Sequence, residues 1–251
     1  MFLSVNGNRL EYAYFGREST APAIVLLHEG LGSVRMWRNF PTRLADRTHR
    51  RVMAYSRFGH GTSDAPAAPH GVWFMHDEAR LLPKVLDAAK LNRAVLFGHS
   101  DGASIALICA AEHPDRVTAL VLEAPHVFVE EISVASVERT TAAYRDGDLR
   151  ARLAKHHQRV DVAFSGWKDV WLDPEFRRWN LESLLPSISC PVLLIQGEQD
   201  EYGTLAQLDA IERQVQGPAE RIVLAACGHS PHRDQQERVL SATAAFLARY
   251  A

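Results

Sequence analysis

The stretch Ala94-Val95-Leu96-Phe97-Gly98-His99-Ser100-Asp101-Gly102 sets the fold of this chain. Its first four residues form a continuous apolar run, the pattern of a strand buried on both faces. The residues that follow, 103–111, are small and mostly apolar and read as a helix. A Gly-x-Ser-x-Gly between strand and helix is the pattern of a sharp turn that lifts the serine Oγ clear of the sheet's carboxyl edge. Glycine at both flanks has a steric reason. The strand and helix backbones approach so closely there that a Cβ at Gly98 or Gly102 collides with its neighbour. Ser100 is therefore the candidate nucleophile.

Working outward, short strand-like runs at 2–5 and 10–15 flank the turn signal Asn6-Gly7-Asn8. Ala23 to Leu27 is another continuous apolar strand, ending in His28-Glu29-Gly30-Leu31-Gly32-Ser33. A helix is expected over 36–47, a strand over 51–55 and a helix over 74–89. Between the last two lies the glycine-rich loop Ser56-Arg57-Phe58-Gly59-His60-Gly61-Thr62-Ser63. Val117 to Glu123 is a further buried strand. Alternation then stops: residues 127–183 carry amphipathic stretches with many charges and aromatics but no apolar strand. It resumes at Pro191-Val192-Leu193-Leu194-Ile195-Gln196, then a helix over 205–214, a strand over 221–224 and an amphipathic helix over 235–249. Alternating strands and helices imply a mainly parallel sheet covered on both faces. The interruption reads as an all-helical insertion.

Bulk properties narrow the function classes. The chain has 251 residues, 23% of them charged, with a formal net charge of −2, which gives no electrostatic case for nucleic acid or an anionic membrane surface. Three cysteines, Cys109, Cys190 and Cys227, are too few for a disulfide framework and read as buried thiols of a reducing compartment. Residues 1–7 lack the basic and apolar regions of a secretory signal, and no stretch reaches the ~18 apolar residues of a membrane span. The expectation is a cytoplasmic protein with a small-molecule substrate, with no nucleic-acid or membrane partner; homo-oligomerisation is left open.

These segments together resemble the α/β-hydrolase fold superfamily over nearly the whole chain. The resemblance is carried by the His28-Glu29-Gly30-Leu31-Gly32 loop, the Gly59-x-Gly61-x-Ser63 loop, the Gly98–Gly102 turn and two late segments. It implies an α/β fold with a predominantly parallel eight-stranded sheet, core residues 1–126 and 186–251, and a helical cap over 127–185. Chain order in this superfamily is serine, acid, histidine. The acid is expected at Asp200, in Gly197-Glu198-Gln199-Asp200 after an apolar strand, with Glu123 the rival and Glu198 and Glu201 behind it. The base is expected at His229, in Gly228-His229-Ser230-Pro231, with His232 the competitor; His99, inside the turn, is expected to be structural.

The resemblance also implies an oxyanion hole of two backbone N–H groups, from Asp101 after the nucleophile and from Gly30 in the early loop. Glu29 stands where the family usually has a second glycine, which leaves Leu31 as the other possible donor. Ser56 stands where the family often carries aspartate. No metal ligand set is legible: His156 and His157 are adjacent and share no helix face. There is no Walker lysine and no dinucleotide spacing, and no cofactor is implied. Serine at the turn argues against the carboxylate-nucleophile mechanism of resembling dehalogenases and epoxide hydrolases.

Trp167 and Trp171 share one face if helical and either hold the cap together or line an apolar pocket. His126 is expected to open toward the cleft. Glu29 and Asp101 place negative charge near the nucleophile, an expectation of neutral or cationic substrates. The expected activity is serine-hydrolase cleavage of a carboxylic ester or related acyl bond of a small apolar or aromatic molecule. Carbon–carbon bond hydrolysis, lactonase and thioesterase chemistry use the same triad in resembling enzymes, and a non-catalytic ligand-binding member is the reading of another class.

Overall fold

Residues 1–251 are described by a computed structural model. Strand β1 (Phe2–Val5) turns back at Asn6-Gly7 into β2 (Asn8–Phe15), which is antiparallel to both of its neighbours and alone runs against the rest. Then follow β3 (Ala23–Leu27), α1 (Phe40–Thr48), β4 (Val52–Tyr55), α2 (Phe74–Ala88), β5 (Ala94–His99), α3 (Asp101–Glu112) and β6 (Val117–Glu123). After β6 come α4 (Glu131–Asp146), α5 (Leu149–Leu153) and α6 (Val160–Trp171), with short 3-10 turns at Phe176–Arg178 and Glu182–Ser187. The chain closes with β7 (Val192–Gly197), α7 (Ala206–Gln214), β8 (Ala219–Leu224), α8 (Pro231–Asp234) and α9 (Gln236–Tyr250). The sheet has eight strands in the order β1-β2-β4-β3-β5-β6-β7-β8, parallel from β4 onward. No helix is long and apolar enough to cross a membrane.

Strand β5 lies in the middle of this order, and every one of its residues is buried. Its side chains alternate between faces, as the two-residue period of a strand requires. Val95 and Phe97 join the layer built with Phe40 of α1 and Phe246 of α9, whereas Leu96 joins the one built with Leu82 of α2 and Ile105 of α3. That two-sided burial explains why β3, β5, β6 and β7 are unbroken apolar runs in the sequence.

One expected element is divided. The segment expected as a single helix over 36–47 is a 3-10 turn at Val34–Trp37, then Arg38 at φ 53°, then α1 starting at Phe40. Pro41 lies in the first turn of α1. Proline lacks an N–H and disfavours helical geometry before it, so it is best tolerated in a helix's first turn, where Pro41 lies. Between β6 and β7 the regular elements are all helical, apart from an isolated bridge between Phe128 and Asn180.

Candidate active site

The turn after β5 places Ser100 at φ 54° and ψ −120°, a conformation a non-glycine residue holds only under strain. Its flanking glycines are sterically required. A Cβ on Gly98 would lie 2.4 Å from the Gly102 carbonyl oxygen, and one on Gly102 only 2.1 Å from that of Leu27. The helix can therefore start directly against β3 and β5 with the serine at the sheet's carboxyl edge.

Two loops from the far end of the chain meet it there. With His229 Nδ1–H donated to Asp200 Oδ1 at 2.8 Å, Nε2 accepts the Ser100 hydroxyl proton at 2.9 Å. Asp200 also accepts the backbone N–H groups of Tyr202 and Gly203 and the side-chain amide of Gln196. Burial alone would raise the Asp200 pKa, yet the hydrogen bond and charge of His229 hold it below the ordinary value. Burial likewise opposes protonation of His229, and Asp200 outweighs it, leaving the imidazole pKa raised. Serine, imidazole and carboxylate are thus in one hydrogen-bonded line, with the imidazole positioned to take a proton and its cation stabilised.

The rivals pair with each other. His232 Nδ1 donates to Glu123 Oε2 at 2.6 Å, away from Ser100, and Glu123 is fully buried. His99 is buried and donates Nε2–H to the His229 carbonyl at 2.7 Å, which braces the base loop from below. His99, Glu123 and His232 bring one donor atom each within 4.8 Å of one another, a grouping invisible in sequence spacing.

In the early loop the Gly30 carbonyl accepts from His60 Nε2–H, while the Gly30 N–H has no hydrogen-bond partner in the protein. The Leu31 N–H donates to the Glu29 carboxylate. Asp101 opens α3, where the first N–H groups have no carbonyl one turn earlier. Arg57 is buried and donates to the carbonyls of His28 and Glu29, fixing the loop's path. Ser56 reaches a carboxylate after all: its hydroxyl donates to Glu11 Oε2 from β2 and accepts the Val34 N–H.

A chamber of about 220 Å³ opens over Ser100. Gly30, Trp167, Trp171, His126, Tyr202 and Val137 are among its walls. Trp167 packs so tightly on Gly30 that a Cβ there would fall 2.2 Å from its ring. His126 is buried and stacks edge-on against Trp171 at 5.1 Å between centroids; burial lowers its pKa to about 4, so it is neutral near pH 7. Glu29 and Asp101 line or flank this chamber, but their carboxylates are turned to internal donors, Leu31 N–H and Trp171 Nε1–H respectively. Burial raises both pKa values, that of Asp101 to about 6. The expected negative field on the substrate is correspondingly weakened.

Tyr202 and Val137 were not legible as site residues, and Glu201 was legible only as a lesser candidate for the acid. The Tyr202 ring lies 4.6 Å from that of His229, and Glu201 accepts the His229 N–H at 3.2 Å. The signal available was adjacency to Asp200. Val137 comes from α4 and carries no sequence signal at all.

An eight-stranded, mostly parallel sheet with a strained serine after its fifth strand defines the α/β-hydrolase class. The chain belongs to the alpha/beta hydrolase fold family, whose sequence model matches residues 22–164. It is 25% identical over 223 residues to the human serine hydrolase BPHL, covering 86% of this chain and 75% of that protein. In structure it resembles the enol-lactonase from Burkholderia xenovorans, with TM-score 0.79 at 22% identity over 99% of this chain and 100% of that one. It also resembles a meta-cleavage product hydrolase from Pseudomonas fluorescens, with TM-score 0.77 at 18% identity over 99% of this chain and 98% of that one.

Proposed function

We propose that this protein is a serine hydrolase that cleaves a carboxylic ester or related acyl bond of a small apolar or aromatic molecule. The observation that carries this reading is the unbroken line Ser100 Oγ, His229 Nε2, His229 Nδ1, Asp200 Oδ1, with spacings of 2.9 and 2.8 Å. His229 takes the Ser100 proton as the oxygen attacks the carbonyl carbon. Asp200 keeps Nδ1 protonated and stabilises the imidazolium. The N–H groups of Gly30 and Asp101 receive the tetrahedral oxyanion, a function in which losing one donor typically costs about 10²–10³ in rate. His229 then passes its proton to the leaving group, and water, deprotonated by the same imidazole, releases the acid from Ser100.

Trp167 and Trp171 supply the apolar walls for the acyl group, with His126 and Tyr202 as the polar groups that orient it. The helical segment over 127–185 serves as the cap, since it contributes both tryptophans to the chamber. Turnover of a short p-nitrophenyl ester, abolished by Ser100→Ala, is the expected result. A folded protein inert toward esters, lactones, thioesters and vinylogous diketones alike overturns the reading in favour of a binding role.

A further inference from the structure

A second chamber of about 210 Å³ lies beside the first and shares Glu29, His99, Ser230 and Arg233 with it as walls. Its own walls are rich in donors: Ser33, Trp37, Arg38, Asn39, His156 and Arg233. Two of these are buried and unsatisfied. The Ser33 hydroxyl and the Trp37 indole Nε1–H have no partner in the protein, at 0% and 4% residue exposure. An indole N–H only donates, so what is missing beside it is an acceptor. Asn39 adds to the excess, because Gln236 Nε2–H already occupies its amide oxygen and leaves the NH₂ to donate.

The charged side chains without a carboxylate partner near this mouth are all basic. Arg38 has neither a carboxylate within salt-bridge reach nor any side-chain hydrogen bond, and Arg35, which donates to the Lys155 carbonyl, and Lys155 have no acidic partner either. After burial, the proximity of Arg35, Arg38 and Lys155 is what holds the His156 pKa down. Arg38 is also held at φ 53° and ψ −122°, backbone strain that most surface arginines do not carry. The chamber's single carboxylate, Glu29, is already engaged by Leu31 N–H.

We propose that this second chamber is a subsite for an anionic group, phosphate or carboxylate, carried at the far end of the substrate's leaving group. The assignment to the leaving group rests on the hydrolase reading above. The nitrogen that protonates the departing atom belongs to His229, and Ser230, His232 and Arg233 of that same segment form one wall of the chamber. The aromatic chamber over Ser100 then takes the acyl part. An anion here receives hydrogen bonds from Trp37 and Ser33 and the charge of Arg38, the combination of charge and fixed donors that oxyanions favour; Arg233 already holds Asp234 at 3.2 Å.

The test compares esters with one acyl group and leaving groups of equal length ending in phosphate, carboxylate or a neutral amide. The wild-type protein should show a lower KM for one or both anionic esters. Arg38→Ala and Trp37→Phe should each remove about 10–100-fold of that preference, the value of a charge-assisted hydrogen bond, while the neutral ester is turned over as before. Which anion gains more separates a phosphate from a carboxylate ligand. No preference in the wild type, or equal losses on charged and neutral esters, overturns the subsite. Inorganic phosphate titrated calorimetrically against Ser100→Ala protein, with and without Arg38→Ala, reads the same site without turnover. If no ester is hydrolysed while phosphate still binds in an Arg38-dependent way, the hydrolase reading fails and the anion site stands.

Discussion

The indole Nε1–H of Trp171 donates to Asp101 Oδ1 at 3.2 Å, so α6 is tied to the residue that follows the candidate nucleophile. Asp101 is 1% exposed, and its second carboxylate oxygen has no partner. Burial raises its pKa from 3.8 to about 6. The folded state therefore binds this proton more tightly than the unfolded chain, and the stability so gained is lost as pH rises through about 6. Asp101→Asn keeps an acceptor for Trp171 and removes the ionisation. Urea unfolding should show the variant more stable than its parent at pH 8, by up to about 3 kcal/mol, with the gap closing near pH 4. An equal difference at both pH values would contradict this account.

The proposed catalysis through one hydrogen-bonded unit predicts non-additive losses. Ser100→Ala and His229→Ala should each lower kcat/KM by several orders of magnitude, and the double variant should be scarcely worse than the poorer single one. Steady-state kinetics on one ester decides it: fully additive losses would mean that the two side chains do not act together.

The acid limb of the pH–rate profile should report the base. Asp200 holds the His229 pKa above the ordinary histidine value of 6.5, against the effect of burial. The kcat/KM of the wild-type protein should therefore fall as pH drops through a value above 6.5. Asp200→Asn should shift that limb to lower pH and cut the plateau by about 10³–10⁴ through loss of the correct tautomer. A limb that stays in place would detach Asp200 from His229.

His232 and Glu123 hold each other at 2.6 Å with the carboxylate sealed from solvent. His232→Ala leaves a buried carboxylate without its partner and should cost about 3–5 kcal/mol. Glu123→Gln removes the charge while retaining the shape, and should cost about 1–3 kcal/mol. Equal costs in chemical denaturation would show that the buried charge is not what matters.

Two glycines separate packing from conformation. At Gly102 an added Cβ meets the Leu27 backbone at 2.1 Å, and neither strand nor helix can withdraw; Gly102→Ala should cost more than about 4 kcal/mol or prevent folding. At Gly7 the φ is +81° but nothing lies within 4 Å. Gly7→Ala should cost only about 1 kcal/mol, from strain alone. Thermal unfolding of both variants reads the contrast directly.

Much of the fold was legible because its cause is local. Apolar runs such as Ala23–Leu27 and Val192–Gly197 are strands because both faces are covered, and that requirement appears residue by residue. The division at Arg38 was missed because two restarts of helical geometry around Pro41 look like one amphipathic period. Ser56 looked like a lost carboxylate because Glu11, which supplies one, lies 45 residues away on an antiparallel neighbour.

By itself the sequence determined the order of strands and helices, the strained turn at Ser100 and the short set of residues able to serve as acid and base. Steric and hydrophobic constraints between near neighbours along the chain suffice for that. Only the tertiary structure decided which histidine meets which carboxylate. His229 reaches Ser100 across 129 residues and Asp200 across 29, while His232 turns to Glu123 across 109. Those separations are closed by sheet register, which aligns Glu123 of β6 with Ile195 of β7 and brings the loops beyond them to one edge. Register depends on packing between distant segments, and no stretch of neighbouring residues encodes it.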